Sequence, residues 1–269
     1  MRNDTTLWLD LDERNLAHFL SVLALTAFAQ RVEGNAVETR RCWWPEQAGQ
    51  FAIKTELPAD DFRAKLFEKA DTFLRSMKWV SGLGGASSGV FISGDEIGVN
   101  PFIGLSGEGV ENTPFKGFSA RVLPAPTLSN QIEKLRPPNE EGEWLNQFAR
   151  GAASWGYDHR VNQHASDAGI SSDAEGTGKL NPLYPAIELL SVAILAFFAP
   201  VHAWQVARNG VSVFAWTQPL PLPMAAIAAS NRIHGLTGRC YHYAYRGAAH
   251  GKGSAYHFFP PAILQTTKS

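Results

Sequence analysis

Leu16, Phe19, Leu20, Leu23 and Ala27 recur at three- and four-residue spacing and predict an amphipathic helix over residues 16–31, closed by Gly34-Asn35. Phe62, Leu66, Ala70, Phe73, Leu74 and Met77 predict a second over 59–78, with Asp60 and Asp61 near its positive N-terminus. Residues 181–200 behave differently. Prolines bound this run at both ends, and apolar residues occupy nearly every side of the helix between them. It is short of the roughly 20 residues a bilayer requires and carries Glu188, so it reads as a buried core helix rather than a membrane span. Strands are expected over 5–9, 39–44, 50–55, 90–92, 154–157, 202–207, 211–217 and 239–245, with 255–259 available to pair with the last. Residues 94–138 read as loops and short hairpins, 140–150 as a short helix, 167–178 as a loop and 224–233 as a small-residue helix.

The buried helix repeats an earlier stretch. Leu20-Ser21-Val22, Leu25 and Phe28-Ala29 match Leu190-Ser191-Val192, Leu195 and Phe198-Ala199 at one constant offset. Trp44, Gly49, Thr55 and Leu57-Pro58 then find counterparts in Trp204, Gly210, Thr217 and Leu220-Pro221. Helix, Trp-turn-Gly strand pair and Leu-Pro in the same order indicate two copies of one supersecondary unit. The order βαββα, glycine-rich loop, β in the first half is ferredoxin-like, of the kind found in RRM-like domains. The expected fold is therefore α+β: two tandem ferredoxin-like (βαββαβ) halves with antiparallel sheets, one domain over 1–138 and one over 139–269.

Composition adds a polarity to this picture. The chain of 269 residues is 45% hydrophobic, enough for a sizeable core, and its net charge is −1. After Glu188 it contains no acid, while Arg208, Arg232, Arg239, Arg246, Lys252 and Lys268 remain, so the part up to Glu188 carries about −7. One directed cationic face follows, rather than a general affinity for polyanions. Cys42 and Cys240 form neither a disulfide framework nor a zinc pattern, which fits a reducing cytosol. The polar, acidic N-terminal residues do not read as a signal peptide, so a cytoplasmic location without a membrane partner is expected.

Two stretches offer candidate chemistry. The glycine-rich loop at 82–89 is neither a Walker A loop nor a dinucleotide fingerprint. Its backbone N–H groups, at Gly82, Gly84 and Gly85, can cradle a phosphate beside Lys78, with Trp79 available to stack; a plain connection between helix and strand is the competing reading. In the second stretch, Arg239, Tyr241, Tyr243 and Tyr245 share one strand face and lead into Arg246, His250 and Lys252. Aromatic rings stack bases while interleaved cations meet phosphates, so the stretch suits RNA or a single strand. A core strand with its tyrosines packed under a helix fits the same pattern. None of the eight histidines shows metal-ligand spacing, and neither a metal nor a cofactor is expected.

The residues from Asn15 to Ala29, the Tyr157-Asp158 region with Ala165-Ser166-Asp167-Ala168-Gly169, and the run Leu183-Tyr184-Pro185-Ala186-Ile187-Glu188-Leu189-Leu190 resemble a subunit family of type I-U (I-G) CRISPR–Cas effector complexes. The tandem halves and glycine-rich loop also resemble the repeat-associated RNA-binding superfamily. Leu16-Ala17 stands where the family has Pro-Gly, and His18 where an amide is usual, so no catalytic role is carried onto His18. The resemblance implies a non-catalytic subunit of a CRISPR-RNA-guided interference complex in antiviral defence. Such a subunit contacts guide RNA and/or target DNA and binds other effector subunits. The alternative is a metal-independent endoribonuclease that processes repeat RNA, motivated by histidines near tyrosines and lysines. A protein–protein adaptor is the third reading.

Overall fold

The computed structural model describes residues 5–32, 40–81, 89–98, 124–138, 143–151, 154, 155, 157–160, 181–198, 205–207, 210–230, 233–244, 246–250, 254–258 and 261–265. Along them run β1 (Thr5–Leu9), α1 (Leu16–Ala29), β2 (Arg41–Trp43), β3 (Phe51–Thr55), α2 (Ala59–Ser76), β4 (Met77–Ser81), β5 (Gly89–Ser93), β6 (Glu96–Ile97) and α3 (Pro124–Lys134). Next come β7 (Ala149–Gly151), β8 (Asn181–Leu183), α4 (Pro185–Ala193), β9 (Gln205–Ala207), β10 (Gly210–Trp216) and β11 (Leu220–Pro221). The last elements are α5 (Ala225–Ala229), β12 (Gly238–Ala244), β13 (Arg246–His250), β14 (Ser254–Phe258) and β15 (Ile263–Gln265). The protein is α+β with antiparallel sheets.

Two four-stranded sheets, β1-β3-β2-β11 and β15-β12-β10-β9, are joined by one continuous core. Trp44 N–H donates to the Trp216 carbonyl at 2.9 Å, and the Trp216 indole donates to the Cys42 carbonyl at 2.8 Å. Buried residues from both sides of residue 138 belong to this core. The short β11, from the far end of the chain, pairs with β2 at the edge of the first sheet.

The duplication has a physical counterpart. Ser21 Oγ donates to the Ile187 carbonyl at 3.0 Å, and Ser191 Oγ donates to the Ala17 carbonyl at 3.1 Å. Ser21 and Ser191, and Ala17 and Ile187, are related by the same 170-residue offset as the sequence match. Further along, Phe28 packs edge-on against its counterpart Phe198 at 5.3 Å. The two helices thus run side by side in the same direction, each presenting equivalent residues to the other. Pro58 and Pro221, the equivalent prolines, both precede a helical turn, with φ/ψ of −51/140° and −54/140°.

All of α4 is buried, as its uniform apolarity predicts, and beyond Ala193 it continues as a π-helical turn over Ile194–Phe198. α1 differs from its predicted amphipathic stripe: every residue except Ala27 is buried, because α2, α4 and the sheets enclose it. Its last carbonyls are capped by the buried Arg40, which donates to Ala29 and, at 3.0 Å, to Val32. A cation there opposes the negative end of the helix dipole.

Several elements depart from expectation. α2 ends at Ser76, and Met77 turns extended (φ −63°, ψ 136°), so Lys78 and Trp79 belong to strand β4 rather than to a helix end. β4 pairs with β5 and not with the first sheet. α3 lies in a stretch read as loop: its prolines fall in the first turn, where no N–H is needed, and Leu128, Gln131 and Leu135 carry the buried spacing. The predicted helix at 140–150 is reduced, among described residues, to a 3-10 turn at Trp144–Asn146 and strand β7. Ser154, Trp155 and Tyr157 lie in no strand, and in the second sheet β12 occupies the place beside β10. β14 pairs with β13, while β15 takes the expected position against β12. The predicted loop at 167–178 and the Gly34-Asn35 cap lie outside the described residues.

Ser21→Ala is expected to lower stability by about 1 kcal/mol, because the Ile187 carbonyl keeps the Ser191 hydroxyl. Phe28→Ala, which empties a contact with both Phe73 and Phe198, is expected to lower it by about 3–5 kcal/mol. Urea unfolding of both variants measures the difference.

Candidate functional site

Arg239, Tyr241 and Tyr243 share one face of β12, as period-two alternation requires, and that face is directed inward. Tyr243 is fully buried and Tyr241 nearly so. Their partner is Glu13, whose side chain is also fully buried. Its Oε1 accepts from Arg239 Nη2 at 2.9 Å and from the Tyr241 hydroxyl at 3.2 Å. Its Oε2 accepts from Gly49 N–H at 3.1 Å, and its backbone carbonyl from the Tyr243 hydroxyl. Gly49 sits at φ +88°, a conformation that favours glycine, which lets the 45–49 turn aim this N–H at the carboxylate. Arg239 also donates to the carbonyls of Pro45 and Glu46 at 2.8 and 2.9 Å. Burial and the Glu13 charge push the Tyr241 hydroxyl up to about 12. These side chains tie the second sheet to the β2–β3 turn; the two tyrosine rings would have to leave the core to stack on a base.

Of the other predicted residues, Lys78 is exposed on β4. Trp79 is half-buried, edge-on against Phe91 at 4.9 Å. A side chain at Gly89 would lie 2.5 Å from the Trp79 ring, which is why glycine opens β5. The structure thus sets Lys78 and Trp79 on a different sheet from Arg239, Tyr241 and Tyr243. Arg246 and His250 are the end residues of β13, described by their backbone alone. Gly82, Gly84, Gly85, Tyr245 and Lys252 lie outside the described residues.

A second polar centre joins residues of two stretches that carry the resemblance, where no site was assigned from the sequence. Asn15 caps α1, its Oδ1 accepting from Ala17 N–H at 3.0 Å, and its amide donates to Asp158 at 2.8 Å. Asp158 is fully buried and held by Arg160 through both oxygens, at 2.7–3.1 Å. Burial pushes this carboxyl up, but the Arg160 guanidinium outweighs it and holds the group below its usual range. Arg160 also lies 3.6 Å from the centroid of the Tyr184 ring. His18 Nδ1 accepts from Asp12 N–H at 2.9 Å, which marks that nitrogen as unprotonated. Burial, reinforced by Arg160, pushes the imidazole down to about 3.

Glu188, 170 residues beyond His18, forms the third centre. It accepts from Ser154 Oγ at 2.8 Å and Trp155 N–H at 2.7 Å, while the Trp155 indole donates to Gln131 at 2.5 Å. Burial, with the nearby Asp158 charge, pushes its carboxyl up to about 7. These residues bond one another and orient helix ends. Among the described residues, no three His, Cys, Asp or Glu side chains converge as metal ligands, and no helix is long and apolar enough to cross a membrane. No local sequence signal marks Glu13, whose cation Arg239 lies far away in the chain, and Glu188 takes its partners from Ser154 and Trp155, whereas Arg160 stands two residues from Asp158.

No family model, curated protein or solved structure matches this chain.

Arg239→Ala leaves Glu13 buried without its cation and is expected to destabilise the protein by about 3–5 kcal/mol in chemical denaturation. The pH dependence has two opposed parts. The unfolded chain protonates His18 below about 6.5 and the folded chain does not, so this group lowers stability as pH falls from 6.5 towards 3. Folded Glu188 holds its proton up to about 7 while the unfolded side chain loses it near 4.5, so this group lowers stability as pH rises between those values. His18→Gln is expected to recover about 2 kcal/mol of the stability lost between pH 6.5 and 5. Glu188→Gln removes the opposite slope over pH 4.5–7. Unfolding midpoints measured across pH 4–8 check both signs.

Proposed function

We propose that the protein is a nucleic-acid-binding subunit of a CRISPR-RNA-guided interference complex, contacting guide RNA and/or target DNA. The observation that carries the nucleic-acid reading is the β13–β14 hairpin in the acid-free end of the chain. Its register sets Arg246 opposite Phe258, Ala248 opposite Tyr256 and His250 opposite Ser254. Arg246, His250, Tyr256 and Phe258 thus fall at alternate register positions of one short ribbon, residue types that match phosphates and bases along one strand. The effector-complex reading draws support from the resemblance, because the described parts of its three stretches meet. Ala17 N–H donates to the Tyr157 carbonyl at 3.2 Å, Asn15 to Asp158, and Ser21 to Ile187. Residues distant in the chain but similar to one family pattern thus form one packed unit. The two sheets are read as diverged ferredoxin-like copies, supported by their shared order of helix, strand pair, Leu-Pro and helix.

Co-expression with neighbouring genes and a repeat array, followed by affinity purification, tests the reading. A discrete small RNA of guide length with co-purifying subunits is expected; a clean monomer without nucleic acid at low salt overturns it. Arg246→Ala with Lys252→Ala is expected to reduce the slope of log affinity against log salt by about 2. The same RNA incubated with excess protein in EDTA is expected to stay intact; cleavage would favour the endoribonuclease alternative.

A further inference from the structure

The face of the first sheet opposite its helices carries a pattern that no reading above uses. Leu7, Leu9, Phe51, Ile53 and Cys42 point into the core. The alternate residues form two rows across the strands. Trp8 and Trp43 lie on either side of Ala52 in one row, and Thr6 and Arg41 on either side of Lys54 in the next. Trp8 is 46% exposed, although a tryptophan would ordinarily bury most of its surface. Its ring meets Trp43 edge-on, with centroids 6.2 Å apart and planes at 78°. Ala52 between them is fully buried because the two rings cover it, and its small side chain leaves them in contact.

We propose that this face is a binding site for a single-stranded nucleic acid, with a base stacked on Trp8 and the adjoining phosphates directed to the Arg41–Lys54 row. A stacked base needs accessible aromatic surface, which Trp8, 46% exposed, has and the buried Tyr241 and Tyr243 do not. Neighbouring strands lie about 5 Å apart and alternate residues on one strand about 7 Å, so the cationic row stands one nucleotide away from the ring. On the other side of Trp8, Asp10, Asp60 and Arg63, the last two paired at 3.5 Å, surround a cavity of about 400 Å³ that also takes in Trp144. Glu56 follows Lys54 at the next alternate position, so the phosphates engage the Arg41–Lys54 row alongside the contacts these cations already make. A duplex, with its bases already stacked, offers no free base face to Trp8, so the site selects unpaired strands. This deepens the nucleic-acid reading by naming the ligand class, and it rests on residues separate from the β13–β14 hairpin.

The test uses fluorescein-labelled 12-nucleotide oligouridylate and oligodeoxythymidylate, with a blunt 12-base-pair duplex for comparison, and follows anisotropy and tryptophan quenching on the full chain. Trp8→Ala, on the exposed sheet face, is expected to weaken single-strand binding about tenfold or more and to abolish most of the quenching. Trp8→Phe is expected to retain most of the affinity. Lys54→Ala is expected to lower the salt slope without removing the quenching. Unchanged affinity in folded Trp8→Ala, or a duplex bound as tightly as the single strands, overturns the proposal. If only the Arg246/Lys252 variant loses binding, this site is refuted and the hairpin reading stands. If only Trp8→Ala loses binding, the hairpin reading fails and the sheet-face site stands.

Discussion

Everything else in this protein is arranged around the contact between α1 and α4. Two helices that are apolar on nearly all sides can satisfy only a few polar groups where they meet, and the fold places one serine from each there. The Ser21 hydroxyl donates to the opposite helix, and the Ser191 hydroxyl is shared between Ile187 of its own helix at 2.8 Å and Ala17 of the other at 3.1 Å. Serine is small enough to let the backbones approach, and an unbonded buried hydroxyl would cost about 1–3 kcal/mol. Above and below that contact the pairing continues, through Phe28 against Phe198 and through the ends of both helices bonded to residues 154–158. The two sheets then share an edge of tryptophans.

The polar groups admitted near this contact obey the same constraint. His18 and Glu188 occupy equivalent positions on the two helices, and burial drives both towards their uncharged forms: imidazole rather than imidazolium, carboxylic acid rather than carboxylate. Asp158 remains charged only because Arg160 grips both of its oxygens and the α1 cap donates to it. Glu13, two residues before the Asn15 that bonds Asp158, is paired with Arg239. Duplicated helices have therefore acquired different polar partners, and each is neutralised in its own way.

The structure decides which face of each alternating strand is covered. The aromatic row on β12 turns its tyrosines to Glu13, while the row across β1, β3 and β2 leaves Trp8 in solvent. An alternating strand states which residues share a face and is silent about which face is covered. The cover is supplied by elements remote in the chain. For β12, Arg239 reaches carbonyls more than 190 residues earlier.

What the sequence alone determined was local or repetitive. The two long helices, the β2–β3 pair around its turn and the full burial of α4 follow from periodicity, and the matching positions of α1 and α4 follow from one constant offset. α3 escaped because prolines in a first turn look like loop, and the end of α2 was misplaced by two residues because Met77 continues an apolar stripe in either conformation. Tertiary structure decided the rest. It sent β4 to β5, set β12 beside β10, drew β11 across to β2, and gave Glu13, Asp158 and Glu188 their partners. β5 and Arg160 are near in sequence to β4 and Asp158, and there the choice among local alternatives was made by burial. For β11 on β2 and Arg239 on Glu13 the partners lie far apart in the chain, and no local pattern encodes which distant group will arrive.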